Sequence, residues 1–244
     1  HIKFFIPASL LFFNDILRIV KKPEQIHTLL AAFDSTNQAG VAVSGIIAAG
    51  IVPAAIEMMD NLSIQAAEAS VHANYPNCGG LLLVELDGPT AEVEALMKQV
   101  DAVCREHGAS EIRLAQSDEE RAVVWKGRKA AFAAMGRIAS NYIVQDGVIP
   151  RTALPEVMTE IAKMSRETGL RVANVFHAGD GNLHPLILFD ANDPDQLHRC
   201  ELFGADILET SVAMGGTVTG EHGVGVEKLN SMCVQFSAAE NEQM

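Results

Sequence analysis

From residue 16 onward, short apolar runs alternate with longer stretches in which apolar positions recur every three or four residues. "ILRIV" (16–20) and "IHTLLAAF" (26–33), separated by Lys21-Lys22-Pro23, read as two β-like runs. "STNQAGVAVSGIIAAGI" sets Ser, Thr and Asn ahead of an Ala-rich stretch and predicts a helix over about 36–49, stopped at Gly50. "VPAAIEMMD" (52–60) is strand-like. "NLSIQAAEASVHANY" predicts a helix capped by Ser63 or Asn61. "GGLLLVELDG" (79–88) is a buried strand bounded by glycines. "PTAEVEALMKQVDAVCREHG" is a helix with Pro89 near its start, Thr90 as cap and Gly108 at its end, and "EIRLAQ" follows as a strand. Residues 24–116 thus read β-α-(β)-α-β-α-β.

A second set follows: a helix over 118–134, a strand "YIVQDGVIP" ending at Pro150, a helix from Pro155 to Gly169, a hairpin, and a helix closed by Gly215-Gly216. Strands that are few, short and interleaved with helices predict an α+β fold, a ferredoxin-like antiparallel sheet with helices packed on one face. The two sets are expected to share one sheet or two abutting sheets. No exact internal repeat or low-complexity linker separates them.

The hairpin "VFHAGDGNLHPLILFD" (175–190) carries candidate chemistry. "AGDGN" has the Gly, Asp and Asn that turns require, with strand-like residues on both sides. A register that sets His177 opposite His184 sends both imidazoles out of one face. Two such rings are half of a metal site for zinc, iron or manganese; a hydrogen-bonded core pair is the alternative reading. A further ligand is available in "GGTVTGEHGVGVEK" (215–228), where Glu221 and His222 sit among Gly220, Gly223 and Gly225. Adjacent residues of an extended loop point in different directions, so Glu221 can face a metal while His222 faces a substrate. The same segment also reads as a tight turn, and it lacks the strand-turn-helix and GK[ST] features of phosphate loops. "WKGRKAAF" (125–132) places Trp125 and Arg128 on one helical face. Arg128 offers a bidentate fork for a carboxylate; an exposed Arg packed on Trp is the bland alternative, and Lys126 and Arg137 are weaker candidates. No GxSxG segment supports serine hydrolase chemistry.

Composition narrows the partners. The 244 residues carry a formal charge of −13, which argues against nucleic acid and against a polybasic membrane surface. Cys78, Cys104, Cys200 and Cys233 form no CxxC pair and fit a reducing compartment. No run is long and apolar enough for a membrane span. "HIKFFIPASLLFF" is broken by Pro7 and lacks a signal-peptide cleavage pattern. Residues 1–15 are expected to be a leader of other origin, 16–236 the domain, and 237–244 a tail.

"NVFHAGDGNLHPLILFD" and "GGTVTGEHGVGVEKL" together resemble the two signature segments of the C-terminal domain of FAD-linked oxidases, flavoproteins of the vanillyl-alcohol oxidase type. That family includes D-lactate and D-2-hydroxyglutarate dehydrogenases. "AAGIVPAAIEMMD", "WKGRKAAFAAMGRI" and "QDGVIPRTALPEV" extend the likeness towards FAD-linked subunits of bacterial glycolate oxidases. The resemblance implies an FAD-dependent 2-hydroxy-acid oxidoreductase. It implies His177, His184 and Glu221 as ligands of a divalent metal, His222 as base at the substrate hydroxyl, and Arg128 on the substrate carboxylate. Relatives acting on hydroxyglutarate carry a Lys shortly before the Asp matching Asp146. Val144 and Gln145 stand there in this chain, which favours a small monocarboxylate such as glycolate or D-lactate. The family keeps its FAD mainly in a preceding N-terminal domain that nothing in residues 1–22 resembles, so the chain is expected to be the substrate (cap) domain and inactive alone. Partner subunits including an iron–sulfur subunit, and a cytoplasmic location with contact to the inner membrane through them, are further implications. A D-lactate or other D-2-hydroxy-acid dehydrogenase, and a non-catalytic metal-binding or oligomerisation module, are the competing readings.

Overall fold

The computed structural model describes residues 22–243; the β-like run at 16–20 and the expected leader lie outside them. The first half is β1 (Gln25–Phe33), α1 (Thr36–Ala48), β2 (Ala55–Asp60), α2 (Asn61–Val71), β3 (Gly80–Gly88), α3 (Thr90–Glu106) and β4 (Ala109–Leu114). After α4 (Asp118–Ala134) come β5 (Asn141–Val144), β6 (Gly147–Val148), α5 (Leu154–Thr168), β7 (Val172–Phe176), β8 (Asn182–Leu183), β9 (Pro185–Phe189) and α6 (Pro194–Ala213). Two short helices follow, α7 (Met232–Gln235) and α8 (Ala238–Asn241).

One seven-stranded sheet runs β4-β1-β3-β2-β7-β9-β5, and its pairings are antiparallel. The first four strands have the ferredoxin-like order, and the last three repeat most of it. The two sets therefore share one sheet, as expected, and join where Met58 pairs with Phe176 and Met59 with Val175. Asp60 seals this seam. Its carboxylate accepts from the backbone and side-chain amides of Asn174, each at 2.8 Å, and from the Ser63 N–H and hydroxyl at 2.9 Å. Asp60, not Ser63 or Asn61, is thus the cap of α2.

The α+β class and the antiparallel sheet are as the sequence predicts, but the helices are not confined to one face. In β1 and β3, Leu29, Ala31, Phe33, Leu82 and Val84 pack into a core with α1, α3, α5 and α6. The alternate residues Leu30, Ala32, Leu81 and Leu83 pack with Ile64 and Ala67 of α2 and Ala131 and Ala134 of α4. Strands apolar at every position must be covered on both sides. Each fully buried Leu or Phe contributes about 1.5–3 kcal/mol.

Three local expectations are corrected. Thr90 is the first residue of α3 rather than its cap, because Pro89 precedes it with no side-chain hydrogen bond. "YIVQDGVIP" is two strands, since β5 pairs with β9 and β6 with β8, and the break falls at Gln145-Asp146. In the hairpin Val172 pairs with Ile187 and His177 with Asn182, so His177 is not opposite His184. His184 stands two positions from Asn182, on the diagonal, and remains on the same face.

Candidate functional site at the seam of the two halves

The α2/α4 face of the sheet is apolar over Ala131 and Ala134 and turns polar one helical turn earlier. There Arg121, Trp125 and Arg128 of α4 face carboxylates that project from the strands. Glu85 of β3 takes a two-pronged contact from Arg121 (2.7 and 2.8 Å), the Trp125 indole N–H (2.7 Å) and the Thr28 hydroxyl (2.6 Å). Burial alone would raise the Glu85 carboxyl, but these donors outweigh it and hold it below its usual range. This cluster ties the first half of α4 to the sheet.

Arg128 is buried, so the exposed-Arg reading does not hold. Its Nε donates to Glu57 Oε2 at 3.0 Å, and its Nη2 lies 2.8 Å from the same oxygen. Nη2 is buried against this edge and off the line of a hydrogen bond, so Nη1 is the end of the guanidinium without an acceptor among the described residues. The other oxygen of Glu57, Oε1, is 2.9 Å from His177 Nδ1. Burial opposes ionisation of Glu57, yet the His177 contact and the Arg128 charge keep its carboxyl low. In turn the Glu57 contact raises His177 above its usual value, against the effect of burial.

His184 is the hub. Its ring is 5.1 Å from that of His177, edge to face, and 5.0 Å from that of His222, stacked at 8°. It is 3 % exposed, and neither ring nitrogen has a hydrogen-bond partner among the described residues. A buried imidazole left so costs about 1–3 kcal/mol. Glu221 reaches towards both rings, its oxygens 3.9 Å from His177 Nε2 and 3.9 Å from His184 Nε2. One donor atom from each of His177, His184 and Glu221 lies within 4.8 Å of the others. All five residues marked in the sequence (Arg128, His177, His184, Glu221 and His222) therefore converge on one site.

The Glu221-His222 loop is held by Asp146, fully buried in the break between β5 and β6. Asp146 accepts from the N–H groups of Gly220 (3.1 Å), Glu221 (3.1 Å) and His222 (2.9 Å) and from the Thr219 hydroxyl (2.8 Å). The buried Lys228 ammonium sits 3.3 Å away, and His184 Nε2 approaches to 3.4 Å without hydrogen-bond geometry. Burial would raise the Asp146 carboxyl, but the His184 ring, the loop donors and Lys228 overcome it and hold the group far below the carboxylate range. The loop glycines act as expected at two places. A Cβ on Gly220 would come within 2.7 Å of the Val148 side chain, and Gly223 adopts φ +80°. Glu221 and His222 are exposed, so the site opens on one side.

Glu57, Asp146 and Lys228 were not marked as site residues in the sequence. The signal for Glu57 was a lone carboxylate inside the apolar strand "AIEMMD"; for Asp146 it was a polar pair interrupting "YIVQDGVIP". Val144 packs with the α2/α4 layer on the side of the site. Gln145 points the other way, towards Gly204 of α6. Lys126 lies exposed, and Arg137 donates to the Ala69 carbonyl away from the histidines.

Residues 22–244 match the family described as FAD linked oxidases, C-terminal domain. The chain is 52 % identical over 225 residues to glycolate oxidase subunit GlcD of Escherichia coli (strain K12), covering 92 % of this chain and 45 % of that protein. It is 35 % identical over 214 residues to the GlcD of Bacillus subtilis (strain 168), covering 87 % and 46 %. To the mitochondrial D-lactate dehydrogenase (cytochrome) of Arabidopsis thaliana it is 27 % identical over 215 residues, covering 87 % and 38 %. The chain thus spans less than half the length of these relatives. Among solved structures, p-cresol methylhydroxylase with substrate bound aligns with a TM-score of 0.66 at 11 % identity, over 91 % of this chain and 49 % of that one, a likeness of fold. The chain belongs to the family of FAD linked oxidases, C-terminal domain.

Proposed function

We propose that this chain is the substrate domain of an FAD-dependent 2-hydroxy-acid oxidoreductase, with glycolate or D-lactate as substrate and the 2-oxo acid as product. One observation carries the reading: a buried arginine with uncommitted N–H groups and a cluster of three imidazoles and a carboxylate meet at one opening. A 2-hydroxy acid presents a carboxylate and, one carbon away, a hydroxyl, and the two groups match the two halves of the site.

In this reading Arg128 binds the substrate carboxylate and aims the Cα. His222, at the exposed edge of the histidine stack, takes the hydroxyl proton. FAD, when bound, supplies the acceptor for the Cα hydride. We assign no described residue to the flavin. His177, His184 and Glu221 fit a divalent zinc, iron or manganese ion, because the unpartnered His184 nitrogens need a ligand and the donors already converge. Such an ion would lower the pKa of the substrate hydroxyl. Glu57 on His177 Nδ1 is the outer carboxylate that orients a ligating imidazole.

Val144 on the side of the site supplies no cation for a second carboxylate, which favours a monocarboxylate. The likeness to glycolate oxidase subunits supports a multi-subunit assembly, for which we propose an iron–sulfur partner. No helix among the described residues is long and apolar enough to cross a membrane; a cytoplasmic enzyme, brought to the inner membrane by its partners, fits this. The likeness to D-lactate dehydrogenase favours D-lactate as the second reading.

Metal content by mass spectrometry tests the ligand assignment. The purified protein is expected to hold about one zinc, iron or manganese per chain, and His184→Ala is expected to lose it. Equal content in both, or none in either, removes the metal from the proposal.

A further inference from the structure

We propose that Glu57 is a positioning residue that couples the two halves of the site, orienting Arg128 for the substrate carboxylate and His177 for its ligand role with one carboxylate. This rests on the functional reading above. Glu57 comes from the first half of the fold and His177 from the second. Met58 pairs with Phe176, so Glu57 and His177 occupy the next pair of positions across the seam. Arg128 comes from the helix that links the halves. Among the described residues only Glu57 makes a side-chain polar contact with both, and each of its oxygens serves a different partner, Oε1 the His177 Nδ1 and Oε2 the Arg128 Nε/Nη2 edge.

Two consequences follow from valence and shape. A carboxylate on Nδ1 makes that nitrogen the proton carrier of neutral His177, so the Nε2 lone pair is turned towards Glu221. A guanidinium whose Nε/Nη2 edge is occupied offers a second carboxylate only its Nη1/Nη2 end. Glu57 therefore dictates end-on capture of the substrate and excludes the side-on pose. Without it, Arg128 keeps its charge and still attracts the anion. The substrate then docks against the freed edge, rotated away from His222.

The test uses the full-length flavoprotein with Glu57→Gln and, as a shorter carboxylate that cannot serve both partners, Glu57→Asp. Glu85→Gln is the control, a similarly buried carboxylate on the same face that touches neither His177 nor Arg128. Both Glu57 variants are expected to lower kcat by about 10²-fold while KM moves by less than about fivefold. Their Kd for Zn²⁺ or Mn²⁺ is expected to rise about 10–100-fold. Glu85→Gln lowers the melting temperature without that split. If folded, flavin-loaded Glu57→Gln and Glu57→Asp keep kcat and the metal Kd within twofold of wild type, the coupling role is wrong and the functional reading stands. If the wild-type protein binds neither metal nor any 2-hydroxy acid, the functional reading falls and takes this inference with it.

Discussion

Replacing His222 by asparagine in the full-length flavoprotein is expected to lower kcat by about 10²–10⁴-fold, the usual contribution of a positioned general base. The geometry explains why so much depends on one ring. The His222 N–H is tied to Asp146 at 2.9 Å, and its imidazole stacks at 8° on His184. The side chain is thus held at the open edge of the site. Asparagine keeps a polar group of similar reach but takes up no proton near neutral pH. Because the lost interaction belongs to the transition state, kcat and kcat/KM should fall together. Metal content should not change, since His177, His184 and Glu221 are untouched. Steady-state kinetics beside metal analysis reads both; a variant with kcat within twofold of wild type would remove His222 from the base role.

The largest loss of stability is expected from Asp146→Ala, about 3–5 kcal/mol. The substitution removes the acceptor of three backbone N–H groups and the Thr219 hydroxyl and strands the buried Lys228 ammonium. For a chain of this size each kcal/mol moves the melting temperature by about 2–4 °C, so a fall on the order of 10 °C is predicted in thermal unfolding. Much of that cost comes from the uncompensated charge. The double variant Asp146→Ala/Lys228→Met should therefore recover part of the stability, yet not the activity, because the loop carrying Glu221 and His222 stays untied. If Asp146→Ala melts within about 2 °C of wild type, equivalent to less than 1 kcal/mol, the loop is held by something else.

What the sequence revealed and what it hid have physical causes. α4 spans the predicted 118–134 because Ser117 caps it and three acids fill its first turn, a local signal. The hairpin, too, was legible as a unit, its glycines and Asp180 marking the turn. Its register was not: turn composition permits several loop lengths, and the choice of His177 opposite Asn182 is made by the packing of Val175 and Leu186 into the α2/α4 layer. The second helical layer left a trace that the expected one-face packing passed over. "GLLLVEL" is apolar at successive positions, which calls for cover on both faces, but only the assembled sheet shows that α2 and α4 supply it over Leu81 and Leu83.

The site divides along the same line. His177, His184, Glu221 and His222 lie in glycine-marked segments whose chemistry can be read locally. Glu57 and Asp146 act through partners 120 and 76 residues away, and no periodicity reports such a distance. A carboxylate set inside an otherwise apolar segment is the local trace they leave, because burying it is costly without a partner.

Whether the seam site receives a 2-hydroxy acid is decided by anaerobic reduction of the flavin in the full-length protein. Glycolate, D-lactate, L-lactate and D-2-hydroxyglutarate are mixed with oxidised enzyme, and the visible flavin absorbance is followed. Rapid bleaching is expected from glycolate or D-lactate, with little or none from the dicarboxylate. Bleaching by D-2-hydroxyglutarate alone, or by none of the four, would contradict the proposed function.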